Sequence, residues 1–245
     1  MADPPDDADS GVEDRRAELR ENLAALRERI AAACAAAGRP EDEVCLVAVT
    51  KTFPASDIRL LTELGITDVG ENKDQEAAPK AAQCAAWGLR LTWHFVGQLQ
   101  VNKVASVVSY AHVIHSVDRH RLVGALGRRA VTAERELGCL IQVSLDGVAG
   151  RGGAQPADVP GLADAIAAEP GLSLGGVMAV APLGSPPGPA FRRLREIADV
   201  VRSAHPEATA ISAGMSSDLE EAIASGATLV RIGTALLGGR RAFVR

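Results

Sequence analysis

The sequence predicts an α/β fold: a single closed (β/α)8 TIM barrel with an extra N-terminal helix. Eight short, β-rich apolar runs alternate with helical patterns, which favours a parallel sheet with right-handed crossovers. A length of 245 residues suits one such barrel. No GxGxxG follows the first run, which counts against a doubly wound dinucleotide-binding sheet.

The elements follow in order. Residues 1–12 (MADPPDDADSGV) are acidic, contain proline and lack periodicity, so a disordered tail is expected there and the barrel domain over 13–245. From Glu13 to Ala37 the pattern is helical, with Leu19, Leu23, Leu26 and Ile30 on one face, and Gly38 and Pro40 end it. The strands are expected at 45–50, 66–71, 91–97, 112–117, 139–145, 173–180, 208–214 and 228–233. Helices are expected near 55–64, 73–86, 102–108, 119–137, 157–168, 189–204 and 217–225. Ser56 and Asp57 suit N-caps, and Gly65, Gly138, Gly171 and Gly226 suit the left-handed residue that ends a helix.

Composition excludes several classes. Net charge is −5, but residues 1–14 hold six acids and no base, so the remaining chain is almost neutral. No basic face points to nucleic acid. No apolar stretch reaches membrane-span length and no leader pattern opens the chain, so a soluble, cytoplasmic protein is expected. The four cysteines show no CxxC, which suits a reducing compartment; Cys45 and Cys139 read as small core residues. His112 and His115 suit ordinary strand histidines better than metal ligands, and no metal site is expected.

Barrel chemistry gathers where strands give way to the following loops. Strand 1 exits through Thr50-Lys51, at the end of the apolar run VCLVAV. Strand 7 exits through Gly214-Met215-Ser216-Ser217-Asp218 and strand 8 through Arg231-Ile232-Gly233-Thr234. Either of the last two, alone, would be a plain glycine turn with serine caps. Together, at strands 7 and 8 and with an arginine, they suit a phosphate. Strands 1 and 8 are neighbours in a closed barrel, so a lysine amine lies beside that cradle. This pairing suggests a phosphorylated aldehyde held as a Schiff base, and pyridoxal 5′-phosphate (PLP) is the commonest such ligand. A lysine desolvated near Arg231 would have a lowered pKa and supply the neutral amine.

The segments VAVTKTFP (47–54), GENKDQE (70–76), WHFVGQLQVNK (93–103), HSVDR (115–119), GVMAVAP (176–182), ISAGMSSD (211–218) and RIGTALLG (231–238) resemble, in number and order, the YggS/PROSC family of PLP-binding homeostasis proteins. The resemblance covers roughly residues 15–240. It implies the alanine racemase N-terminal barrel and fold-type III PLP binding. Lys51 matches the lysine that holds PLP as an internal aldimine. Ser216, Gly233 and Thr234 match positions around the phosphate, while Asn72, Met178, Ser212 and Met215 match the ring or its rim. Arg231 matches a pocket arginine near the phosphate or the ring nitrogen. Arg151 stands where many relatives have lysine, and the Pro-rich segment 183–189 is short.

Fold-type III racemases close their site with a second, β-rich domain and a tyrosine base. Only eleven residues follow Thr234, and the single tyrosine, Tyr110, falls between a helix and strand 4, away from the exit face. No catalytic residue is therefore assigned. The expected function is PLP homeostasis, with PLP held on Lys51 by a monomer and passed to apo PLP-dependent enzymes. A small PLP-dependent amino-acid racemase is the alternative. A phosphosugar-type Schiff-base lyase is disfavoured by the strand-1 position of the lysine.

Overall fold

The computed structural model describes residues 7–147, 152–182 and 184–239. Eight parallel strands close in chain order: β1 (Cys45–Val49), β2 (Asp68–Glu71), β3 (Thr92–Phe95), β4 (Val113–Val117), β5 (Leu137–Gln142), β6 (Leu172–Met178), β7 (Ala210–Ser212) and β8 (Leu229–Ile232). The closing pair sets Cys45 opposite Leu229 and Ala48 opposite Ile232. Each strand overlaps its expected run, although β5 and β6 begin before theirs, at Leu137 and Leu172. Around them run α1 (Asp7–Ala36), α2 (Ala55–Glu63), α3 (Asp74–Ala86), α4 (Val104–Tyr110), α5 (His120–Thr132), α6 (Val159–Ala168), α7 (Pro187–Ala204), α8 (Leu219–Ala224) and α9 (Thr234–Leu237).

Side chains alternate across the strands with period two. Ala48, Val69, Ile114, Val177, Ile211 and Val230 pack outward against helices. Val47, Val49, Leu140 and Met178 are buried apart from those outer clusters, inside the barrel. The same inward parity carries His94, His115, Ser212 and Arg231, all buried, so the barrel interior is partly polar. Burial pushes the Cys139 thiol up to about 12 and the Cys45 thiol up to about 11, which fits unreactive cysteines.

Three local expectations are corrected. First, α1 spans Asp7–Ala36 and so begins before the expected Glu13. Residues 1–6 lie outside the described residues. Second, Ser56 and Asp57 do not cap α2, whose N-cap is Pro54. Asp57 instead accepts from Arg15 Nη2 at 2.6 Å, with both partners nearly buried. Third, α5 ends at Thr132, and Glu134 rather than Gly138 takes the left-handed conformation (φ 51°), with Gly138 inside β5. Gly65, Gly171 and Gly226 do adopt positive φ.

α1 lies along the seam where the barrel closes. Its Leu19, Leu23, Leu26 and Ile30 bury against Leu219, Ile223, Leu236 and Leu237, each worth about 1.5–3 kcal/mol of transfer energy. Its polar side chains reach the same units. Arg15 donates to the Leu237 carbonyl, Asn22 to that of Leu236 and Arg29 to that of Ser216, while Arg29 also pairs with Glu220.

Candidate functional site

The expected site residues all stand at the C-terminal end of the strands. Lys51 and Asn72 directly follow β1 and β2. Met178 and Ser212 end β6 and β7 and face each other in register. Met215 and Ser216 lie in the next loop, Arg231 in β8, and Gly233 and Thr234 at the start of α9. The Ala235 N–H donates to Ser216 Oγ (3.1 Å), which ties the loop after β7 to the one after β8. Gly233 lies close to β1: a Cβ there would sit 3.3 Å from the Val49 carbonyl oxygen. Arg151 lies outside the described residues. In the segment 183–189, Leu183 is also outside them, and α7 already begins at Pro187.

Lys51 is exposed, and among the described residues no hydrogen bond or ion pair engages its Nζ. The desolvation expected for it is absent, because Thr50 ends the buried run that begins in β1 and the chain turns outward immediately after it. Thr52 takes φ 68°, a costly conformation for a β-branched residue, and its N–H donates to Glu76 Oε2 at 3.0 Å. The strain thus sits next to the lysine.

Behind Lys51 lies a buried knot. The Thr50 hydroxyl donates to Glu71 Oε1 (2.7 Å), and Lys80 Nζ donates to that same oxygen (2.6 Å) and to the Thr50 carbonyl (2.8 Å). Glu71 Oε2 is buried with no partner among the described residues. Burial holds the Glu71 carboxyl above its ordinary value, opposed by Lys80. The knot pins the residues immediately before Lys51 and Asn72. Asn72 is also held by Gly97, where a Cβ would fall 2.0 Å from the Asn72 carbonyl oxygen. Gly97→Ala should destabilise the protein by ~1–3 kcal/mol through overpacking and displace Asn72. Gly161→Ala, with nothing within 4 Å and a place inside α6, should instead stabilise it by ~0.5–1 kcal/mol. Urea midpoints measure both.

Arg231 is 6 % exposed, and no carboxylate among the described residues contacts it. Burial lowers its guanidinium to about 10, a value that still leaves it a cation at neutral pH. It reaches inward across the mouth, donating from Nη1 to Ser212 Oγ (2.6 Å) and from Nη2 to the Ala179 carbonyl (2.9 Å). Its contacts are thus with the ends of β6 and β7, not with the serine-bearing loop beyond. A buried cation lacking a paired acid is costly by itself and suits a polar or anionic occupant at the mouth. Ser212 continues inward to His115, His115 to His94, and His94 to Asp68.

The profile of the family "Alanine racemase, N-terminal domain" matches residues 21–241. The pyridoxal phosphate homeostasis protein of Mycobacterium tuberculosis is 46 % identical over 250 residues, covering 95 % of this chain and 96 % of the relative. The chain belongs to the pyridoxal phosphate homeostasis protein family. The Escherichia coli member is 37 % identical over 227 residues, covering 91 % of this chain and 97 % of its own. PipY of Synechococcus elongatus, solved with PLP bound, has a TM-score of 0.78 at 34 % identity and is covered completely, by 90 % of this chain. The alanine racemase of Streptomyces coelicolor shares the fold, with a TM-score of 0.71 at 23 % identity, and 90 % of this chain covers 58 % of it.

Sequence reasoning gave no role to Glu71, Lys80 or His94, and weighed His115 only as a strand histidine. His115 does lie within β4, where it is fully buried in the barrel interior between two hydrogen-bonding partners. Its position one step from outward-facing Ile114 was the available signal. Among the described residues no group of three or more His, Cys, Asp or Glu is arranged to hold a metal ion. No described helix is long and apolar enough to cross a membrane.

Proposed function

We propose that this protein binds pyridoxal 5′-phosphate at the barrel mouth, holds it as a Schiff base on Lys51, and serves PLP homeostasis rather than catalysis. The observation that carries this reading is the arrangement of the mouth. A free amine at the end of β1 stands beside the tied β7 and β8 loops, and a buried arginine that no carboxylate among the described residues contacts points inward between them. Relatives that this chain spans almost end to end are named for PLP homeostasis, which agrees.

The residues present fit the group. Ser216, Gly233 and Thr234 would hold its phosphate, with Met215 at the rim. Asn72, Met178 and Ser212 would line its ring, and Arg231 would face the ring rather than the phosphate, since its contacts lie on β6 and β7. PLP supplies an electron sink to amino-acid chemistry when it is bound. A guanidinium facing the ring nitrogen donates to it and leaves it unprotonated, which weakens that sink. Tyr110 offers no base at the mouth: it ends α4 in the outer layer, edge-on to Trp93 and directed at Asp74, and burial pushes its phenol up. Lys51 is accessible, so an incoming amine can exchange with it and carry the aldehyde away. We propose apo PLP-dependent enzymes in the cytoplasm as recipients and a monomer as the donor.

Purified protein mixed with PLP should show a visible imine band that borohydride traps on Lys51, as peptide mapping would reveal. L-amino acids should discharge the band stoichiometrically. Sustained racemisation or decarboxylation would overturn the holding role and favour an enzyme.

A further inference from the structure

The barrel interior contains a continuous polar path that leads inward from Arg231 and Ser212 to histidines given no part in the holding role. Arg231 Nη1 donates to Ser212 Oγ at 2.6 Å, and that oxygen lies 3.0 Å from His115 Nδ1. His115 Nε2 lies 2.8 Å from His94 Nδ1, and His94 Nε2 lies 3.0 Å from Asp68 Oδ1. Ser212 and His115 are fully buried, His94 is 3 % exposed, and Asp68 stands at the opposite end of the barrel, where β2 begins. The path therefore crosses the barrel from mouth to floor.

Donor counting gives this path one direction. Arg231 can only donate, so Ser212 Oγ accepts from it. The Ser212 hydroxyl proton is then left with His115 Nδ1 as its acceptor, since no other partner of that buried hydroxyl is present among the described residues. His115 must accordingly carry its proton on Nε2, where it donates to His94 Nδ1. His94 in turn carries its proton on Nε2 and donates to the Asp68 carboxylate. Both rings are neutral in this arrangement and every atom in the chain has a partner. The reverse direction strands the Ser212 proton in a buried site, at a cost of ~1–3 kcal/mol. Burial, together with His94 and Arg231, keeps His115 well below its ordinary value, and the hydrogen bond from His94 lowers Asp68, both in keeping with this direction. The other titratable groups nearby are Cys45, hydrogen-bonded to Asp68, His112, within electrostatic reach of His94, and Asp218, within electrostatic reach of Arg231.

We propose that Asp68, His94, His115 and Ser212 form a one-directional hydrogen-bond chain that positions Arg231 for the ring of the bound cofactor, making His94 and His115 positioning residues of the site. The proposal rests on the PLP reading above. Its physical content is that Arg231, which lacks an acid in contact, is oriented by an ordered row of dipoles ending on a carboxylate at the far end of the barrel.

The test begins without PLP. Long-range proton–nitrogen spectra of the protein labelled with 15N-histidine should show His94 and His115 as neutral Nε2–H tautomers, told apart through His94→Gln and His115→Gln from His112, whose Nδ1 accepts from the Trp93 N–H. A proton on Nδ1 of either ring in the wild type would overturn the chain's direction, and this measurement needs no variant to fold. Ser212→Ala should shift the His115 ring nitrogens; unchanged nitrogens would also overturn it. In PLP titrations, Ser212→Ala should bind on the order of tenfold more weakly, and His94→Gln should bind more weakly with a shifted imine band, while exposed His120→Gln behaves as wild type. Wild-type affinity and band in His94→Gln would overturn the positioning role. Failure of the wild type to bind PLP would overturn the cofactor reading and the task given to Arg231, while the tautomer spectra would still decide the chain.

Discussion

Lys51→Ala is expected to abolish the visible imine band and all borohydride-trapped PLP while leaving the fold intact. The residue is exposed, follows the last residue of the buried run and has no partner among the described residues, so its removal forfeits no packing or ion pair. Surface changes of this kind usually stay within ~0.5 kcal/mol, so the urea midpoint should match the wild type. Residual PLP binding in the variant would be noncovalent, held by the residues proposed around the phosphate and ring, and would show as dialysable PLP without the band. Lys51→Arg should behave like Lys51→Ala, because a guanidinium keeps the charge and cannot form the imine. A retained band in either variant would place the covalent anchor elsewhere.

Lys80→Ala should be the most destabilising single change near the site. It removes the cation from a pair in which the Glu71 side chain is 1 % exposed and the Lys80 side chain 13 %. Breaking such a pair from one side costs ~3–5 kcal/mol, since the remaining charge stays buried. The loss should depend on pH in a definite sense. Burial already raises Glu71 above its ordinary value of 4.5, so the folded state binds this proton more tightly than the unfolded state. Its contribution to stability therefore falls as pH rises from about that value through the folded-state value. Without Lys80 the folded-state value rises further, so the deficit should be smallest in acid and grow toward neutral pH. Urea titrations at several pH values measure it. An equal deficit at every pH would show that Lys80 acts through packing alone. Glu71→Leu combined with Lys80→Met should recover much of the stability, because an apolar pair needs no desolvation of charge, and would reveal whether the knot also sets the position of Lys51.

Much of this architecture was legible in the chain. The eight apolar runs are local signals, and each strand formed on its run because every βα unit buries its own strand. The strand-end positions of Lys51 and of the loops after β7 and β8 follow from that count alone. The polar interior was not legible in the same way. His94, His115, Ser212 and Arg231 belong to β3, β4, β7 and β8, and only closure of the sheet brings them together. The Lys80 partnership with Glu71 needs α3 folded back on β2, and a helical lysine reads in sequence as surface. Asp57 looked like a cap because capping is a local rule, yet Arg15, distant in sequence, took it as an ion-pair partner.

The grip of α1 on the closing seam has a bearing on how the protein opens. Arg15, Asn22 and Arg29 hold carbonyls of Leu237, Leu236 and Ser216, so one helix clasps the segments after both of the last two strands. In native-state hydrogen exchange, the amides of α1, α8, α9 and β8 should then be released together as one cooperative unit. The mouth would lose its β7 and β8 wall in a single event, with the first and last thirds of the barrel parting like a clasp.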